Sequence, residues 1–518
     1  MRRRKKLGLK LLLLVSLFAV TSIFVLKIWR EGTTTSSNLP RSLLTKLPPQ
    51  NFSLSDTTLL TRKLDQMTKQ RAIAYNYAVE TRIQEKEDFL SKYCNSPFVR
   101  TTGSEGSLPV GFTLRLVHVF TRHGDRTSMH KLHGTNTQNY SCSFPQWYKD
   151  SDDVAKYFPY SMTRLAGKHS VEGHFRNWAL YPDKPVCSDS ELTSRGALQH
   201  INLGKHLNDR YIKRHSLIDA NETFEEKLIL KSTGYSRTYQ SATALIYGLL
   251  SQFDLSKIRI EHSRSLLFCS ESQHSNLKCK CPRASDYKER ISRISSNISS
   301  NRKQNTALRR KVASALGLDR SAIPWLSAIF DALTPAFCHG LREPFHCGGD
   351  TSNTECIDYS LINALFKEVS QQEKIRIRDP ENENVDLKYA LLSTYPVLLE
   401  VLRRVQLISK DLIYDGPKFV IYSGHDVTLT PLLVALGIYD NKWPPYASRL
   451  VIEAVTRDSD GGVFLRFVYN GKDKTDRVSF CKDIVAKRLC PLKAIVEFVS
   501  ADMLGQFNTT GYEQACRY

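Results

Sequence analysis

A chain of 518 residues with 41% hydrophobic and 10% aromatic content is long for one compact domain and short for three, and this composition excludes a mostly disordered protein. The net charge of +21 attracts acidic partners, but it does not separate nucleic acid, anionic lipid and sulfated polysaccharide. Eight basic and no acidic residues lie within residues 1–30, so the remainder keeps +13.

A basic tail (1–10) opens on MRRRKK and is followed by an apolar run from Leu11 to Leu26, then by Lys27 and Arg30. The pattern predicts a transmembrane signal-anchor over 11–30. Six basic residues precede the run and two follow it closely, so the positive-inside rule keeps the tail cytoplasmic and sends the rest to the lumen. A cleaved signal peptide is the rival, but no A-x-A pattern follows the run. Residues 31–93 read as stem and helical stalk: 31–55 are rich in Ser, Thr and Pro, and Asp56 to Tyr93 carries a helical pattern. The twelve cysteines all lie beyond the anchor and lack zinc-ligand spacing, which predicts disulfides of an oxidising compartment. Asn51, Asn139, Asn221, Asn297 and Asn508 are in glycosylation sequons.

A globular domain is expected over 94–518. LRLVHVF (Leu114 to Phe120), KLILKST (Lys227 to Thr233) and KFVIYS (Lys418 to Ser423) are apolar runs of strand length, and the last two precede helical patterns, as in βα units. RLVIEAVTR and GVFLRFVYNG, joined by DSDG, predict an antiparallel hairpin at the sheet edge. The stretch of about 269–411 is mostly helical in pattern and reads as an inserted cap. The expected fold class is therefore α/β, a sheet domain with a mostly helical cap.

Each of the three runs delivers polar groups at its carboxyl end, where open α/β sheets bind ligands. TRHGDRT supplies Arg122, His123 and Arg126; STGYSRT supplies Arg237; SGHDVTLT supplies His425 and Asp426. These types suit phosphoryl transfer. Arginine forks match phosphate oxygens, a neutral imidazole attacks phosphorus, and a carboxyl group protonates the leaving oxygen. His123 is expected as nucleophile and Asp426 as proton donor, with a raised pKa and hence an acidic optimum. Arg122, Arg126, Arg237 and His425 are expected to bind phosphate. His118, inside its strand, reads as a core histidine, and the HD pair also suits the start of a helix at Val427.

RHGDR, the HD pair, the R-T-x-x-S-A segment after Arg237 and ELTSRGALQHINLGKHL (Glu191 to Leu207) together resemble the histidine acid phosphatase family of the phosphoglycerate-mutase-like fold. The likeness runs from about Tyr93 to Cys516. Ser128 departs from the pattern, where that family often has proline. The resemblance implies the site roles above, a phosphohistidine intermediate, no metal and no cofactor. With the anchor it implies a single-pass type II protein of the Golgi membrane, acting from the lumenal side on 2-phosphoxylose in the glycosaminoglycan linkage region of proteoglycans. Glycosyltransferases are candidate partners, and nucleic acid is not. An inositol polyphosphate or lysophospholipid substrate is the alternative, as is a non-catalytic protein that recruits glycosyltransferases.

Two other phosphatase-like matches fail. CNSPFVRT (Cys94 to Thr101) has cysteine-phosphatase spacing but follows a helix and lacks the inner glycine, so Cys94 is expected in a disulfide. DSDGG has Gly462 where a dehalogenase-type site needs Thr or Val, and a hairpin turn explains it.

Overall fold

The computed structural model describes most of residues 84–517, apart from stretches of which 144–172 and 340–356 are the longest. The expected tail (1–10), anchor (11–30) and most of the stem and stalk (31–93) lie outside the described residues. The single-pass type II Golgi-membrane placement is corrected. Among the described residues no helix is long and apolar enough to cross a membrane. The physical weakness of the reading lies in its length: Leu11 to Leu26 is 16 residues, and a spanning helix needs about 20.

The three apolar runs form β1 (Phe112–Arg122), β2 (Leu228–Thr233) and β4 (Phe419–Gly424), all buried along nearly their whole length. A short β3 (Arg259–Ser263) joins them, and the sheet order is β3-β2-β4-β1 with every pair parallel. The predicted hairpin is β5 (Arg449–Arg457) with β6 (Val463–Tyr469), antiparallel to each other, and β5 lies antiparallel against β1. The hairpin is not itself the edge. Two-residue strands β7 (Lys472–Asp473) and β8 (Cys490–Pro491) pair with β6 outside it.

The runs are continuous because both sheet faces are covered. On one face Leu116, Phe120, Val420, Tyr422 and Ile452 pack with helix α7 (Val385–Lys410) and helix α8 (Asp426–Ala435). On the other face Val117, Val119, Leu230, Ile421 and Val451 pack with α1 (Ser194–Leu207) and α2 (Ser236–Leu249). Between β3 and α7 come α3 (Pro282–Asn301), α4 (Lys303–Leu316), α5 (Leu326–Cys338) and α6 (Tyr359–Arg378). Helices α4 to α6 share a third apolar cluster with Phe89 and Tyr93. Short helices α9 (Leu492–Glu497), α10 (Met503–Gly505) and α11 (Tyr512–Ala515) close the chain.

Among the described residues five disulfides join Cys94 to Cys338, Cys142 to Cys187, Cys269 to Cys279, Cys281 to Cys516 and Cys481 to Cys490, and no described cysteine is free. Cys94 is therefore a structural cysteine. His118 is wholly buried in β1 with Nδ1 3.3 Å from the Tyr422 hydroxyl, a core histidine as its strand position suggests.

Candidate active site

Strand β4 lies between β2 and β1, so the carboxyl ends of all three meet, and each predicted residue sits there. Arg122 ends β1 opposite Gly424, and the His123 amide donates to the Gly424 carbonyl at 3.0 Å. Arg237 lies in the first turn of α2, four residues past β2; His425 is the N-cap residue of α8 and Asp426 its first residue. The helix thus starts one residue before Val427. Both helices aim their amino termini, with their partial positive charge, at the strand ends.

The loop after β1 can run close to α1 only because of paired glycines. A Cβ on Gly124 would sit 2.3 Å from the Gly196 carbonyl oxygen, and one on Gly196 would sit 2.2 Å from that of Asp125. Thr193 caps α1 by accepting from the Gly196 amide, and its hydroxyl donates to Asp125 Oδ1 at 2.6 Å. Asp125 Oδ1 also lies 2.6 Å from His339 Nε2, just past α5.

His123 is 2% exposed, and its Nδ1 lies 2.8 Å from the Gly124 carbonyl oxygen. A carbonyl only accepts, so Nδ1 carries the proton and Nε2 of the neutral ring keeps its lone pair. Burial first, then the charges of Arg237, Arg122 and Arg126, hold its pKa well below the ordinary histidine value. The ring stays neutral through the mildly acidic range. His425 faces it edge-on, with centroids 5.6 Å apart. Burial and Arg237 lower His425 to about 3, although Asp426 pulls the other way. Its Nε2 is 2.9 Å from the Thr233 hydroxyl, so it acts as a dipole and not as a cation.

The arginines are held differently. Arg122 donates from Nη1 to the Tyr93 hydroxyl at 3.2 Å and to the Pro444 carbonyl at 2.6 Å, and it lies over the Tyr446 ring. Its Nη2 is 3.4 Å from Asp426 Oδ2. Arg126 donates to Asp331 Oδ1 at 2.7 Å, while Asp331 Oδ2 accepts from the Met129 and His130 amides. Arg237 donates to the Ser190 hydroxyl at 2.9 Å and lies over the Tyr235 ring; burial and Arg126 lower it to about 10. The Nε atoms of all three are buried without a hydrogen-bond partner among the described residues. Buried donors are normally paired, so this cluster suits a multivalent anion.

Asp426 differs from the expectation of a raised pKa. Burial pushes it up, but Arg122, the Trp443 indole N–H, His425 and the Val427 amide outweigh burial and hold it at about 2. In the resting site it is a carboxylate. Among the described residues no group of three or more His, Cys, Asp or Glu is placed to hold a metal.

The chemistry available is thus an anion cradle, an imidazole with a free lone pair and a carboxyl group beside both. The family described as histidine phosphatase superfamily (branch 2) matches residues 113–329 and 331–470. The chain belongs to this family. As a branch 2 histidine phosphatase it is a phosphate-ester hydrolase. It is 33% identical over 433 residues to 2-phosphoxylose phosphatase 1 of Homo sapiens, covering 82% of this chain and 85% of that protein. It is 24% identical over 392 residues to lysophosphatidic acid phosphatase type 6 of Mus musculus, covering 75% and 84%. A multiple inositol polyphosphate phosphatase of Bifidobacterium longum, solved in complex with inositol hexasulfate, aligns at TM-score 0.48 and 13% identity, covering 79% and 97%.

Tyr93, Ser190, Asp331, His339, Trp443 and Tyr446 complete the candidate site, and the sequence reading gives none of them a role in it. Apart from Ser190, which directly precedes ELTSRGALQHINLGKHL, each stands alone in its segment with no motif around it. The one local signal was Glu191 to Leu207, whose match to the family pattern marked the α1 start but gave its residues no role.

Proposed function

We propose that this phosphatase removes the phosphate from 2-phosphorylated xylose in the glycosaminoglycan–protein linkage region. The observation that carries the chemistry is the neutral His123 with its Nε2 lone pair beside three arginines. The substrate reading rests on the 33% identity with a 2-phosphoxylose phosphatase over 82% of the chain.

In the proposed reaction the phosphate is gripped by Arg122, Arg126 and Arg237 with an N–H of His425. Nε2 of His123 attacks phosphorus in line, the bond from phosphorus to the sugar oxygen breaks, and Asp426 gives that oxygen a proton. The resting carboxylate gains its proton from the incoming phosphate monoanion, whose second ionisation lies near ~6. The anion also offsets the Arg122 charge that depresses Asp426. Water then attacks the phosphohistidine, Asp426 takes its proton, and inorganic phosphate leaves with His123 restored.

The purified protein is expected to release phosphate from a phosphorylated linkage tetrasaccharide, with a denaturant-trapped phosphoryl label on His123. His123→Ala should lower kcat by at least ~10³-fold, as loss of a nucleophile does. Turnover without a label on His123 would remove the mechanism. An inert tetrasaccharide beside rapid hydrolysis of an inositol polyphosphate would remove the substrate, and binding without any turnover would mark a non-catalytic protein.

A further inference from the structure

A cleft of about 910 Å³ opens beside Asp426, between α8 and helices α3, α5, α6 and α7. Asp426 is part of its wall and His123 is not. In-line transfer sends the leaving group away from the attacking nitrogen, toward the group that protonates it. The cleft therefore lies on the leaving-group side. Its volume is near the top of the ~300–1,000 Å³ range of small-molecule pockets, more than one pentose requires.

The lining narrows the occupant. Neutral hydrogen-bonding side chains come from five serines, including Ser292 and Ser295 on α3, with a threonine and a glutamine; Lys288 is the single cation among the lining residues. A polyphosphorylated leaving group would need more positive charge than one lysine supplies. Aromatic faces come from Tyr389, Trp443 and Trp325, the last 59% exposed at the start of α5. Ser292 and Ser296 donate to the Lys288 and Ser292 carbonyls, and an acyl chain would leave the accepting lone pairs of these hydroxyls unused. Hydroxyls beside aromatic faces suit an uncharged sugar, which offers hydrogen-bonding edges and an apolar ring face.

We propose that this cleft binds the sugar units attached to the phosphorylated residue, with Trp325 as a stacking face, and that it selects an oligosaccharide over a lone phosphopentose. This rests on the substrate reading above. The wild-type protein should give a higher kcat/KM for the phosphorylated linkage tetrasaccharide than for a simple 2-phosphoxyloside. Trp325→Ala should lower that ratio roughly three- to tenfold, the scale of one aromatic contact. Because Trp325 is exposed, its removal costs little packing, and Ser295→Trp offers a second variant that narrows the cleft and should lower the ratio also. Equal kcat/KM for the two phosphoxylosides, or a ratio unmoved by both variants, would overturn the cleft assignment alone. Hydrolysis of neither, with good turnover of another phosphate ester, would overturn the substrate reading.

Discussion

At the scale of single residues, Asp426 is governed by two neighbours from other segments. Trp443 donates its indole N–H to Oδ2 and Arg122 faces the same oxygen. Both favour the charged form, which is why the carboxyl sits at about 2 although burial alone would raise it. The sequence shows the histidines, the arginines and the acid because each lies at the end of an apolar strand or within four residues of it. It did not show that residues 443–448 fold back against the end of β1, so the sign of the shift was misjudged. Trp443→Phe removes one hydrogen bond to the carboxylate and should raise the Asp426 pKa by about one unit. In the mechanism proposed above the donor's proton arrives with the phosphate monoanion, so the descending limb of kcat against pH should stay near the second ionisation of the phosphate, at ~6, while the larger share of complexes with that proton on Asp426 should raise kcat below it. A kcat below that limb equal to wild type would show that Asp426 is not the donor. Catalysis by His123 should not limit the profile near its ordinary value, because its pKa lies well below that.

At the scale of elements, the three central strands were legible because burial on both faces leaves an unbroken apolar run. Strand β3 was missed because RIEHS is short and exposed or half-buried along its length, giving no such run. The contact between the β1 loop and α1 was equally hidden, since a glycine in sequence does not reveal which backbone it lets approach. Here Gly196 meets the Asp125 backbone, and the flanking Asp125 and His123 share one loop. Gly196→Ala should displace that loop, because the added Cβ would lie 2.2 Å from a backbone oxygen that cannot simply rotate away. We expect a stability loss of roughly 1–3 kcal/mol by denaturant unfolding. The accompanying fall in kcat on phenyl phosphate should be measurable well below the unfolding midpoint. Wild-type kcat in a destabilised variant would mean that the loop tolerates the shift.

At the scale of the whole molecule, two disulfides close loops of almost equal length, 244 residues for Cys94–Cys338 and 235 for Cys281–Cys516. Loop-closure entropy is therefore nearly the same for both, about 2–5 kcal/mol each. Their positions differ. Cys94 follows Tyr93, whose hydroxyl accepts from Arg122, and Cys338 precedes His339, which bonds Asp125. One bridge thus ties the segment before β1 to the end of α5 on either side of the phosphate cradle. The other ties the chain terminus to the start of α3, with no bond to a cradle residue. Replacing Cys94 and Cys338 together by serine should lower Tm and also lower kcat on phenyl phosphate at temperatures where the protein remains folded. Replacing Cys281 and Cys516 should lower Tm by a comparable amount and leave that kcat close to wild type. Equal losses of kcat in the two variants would mean that global stability, and not the tether beside Arg122, sets the precision of the cradle.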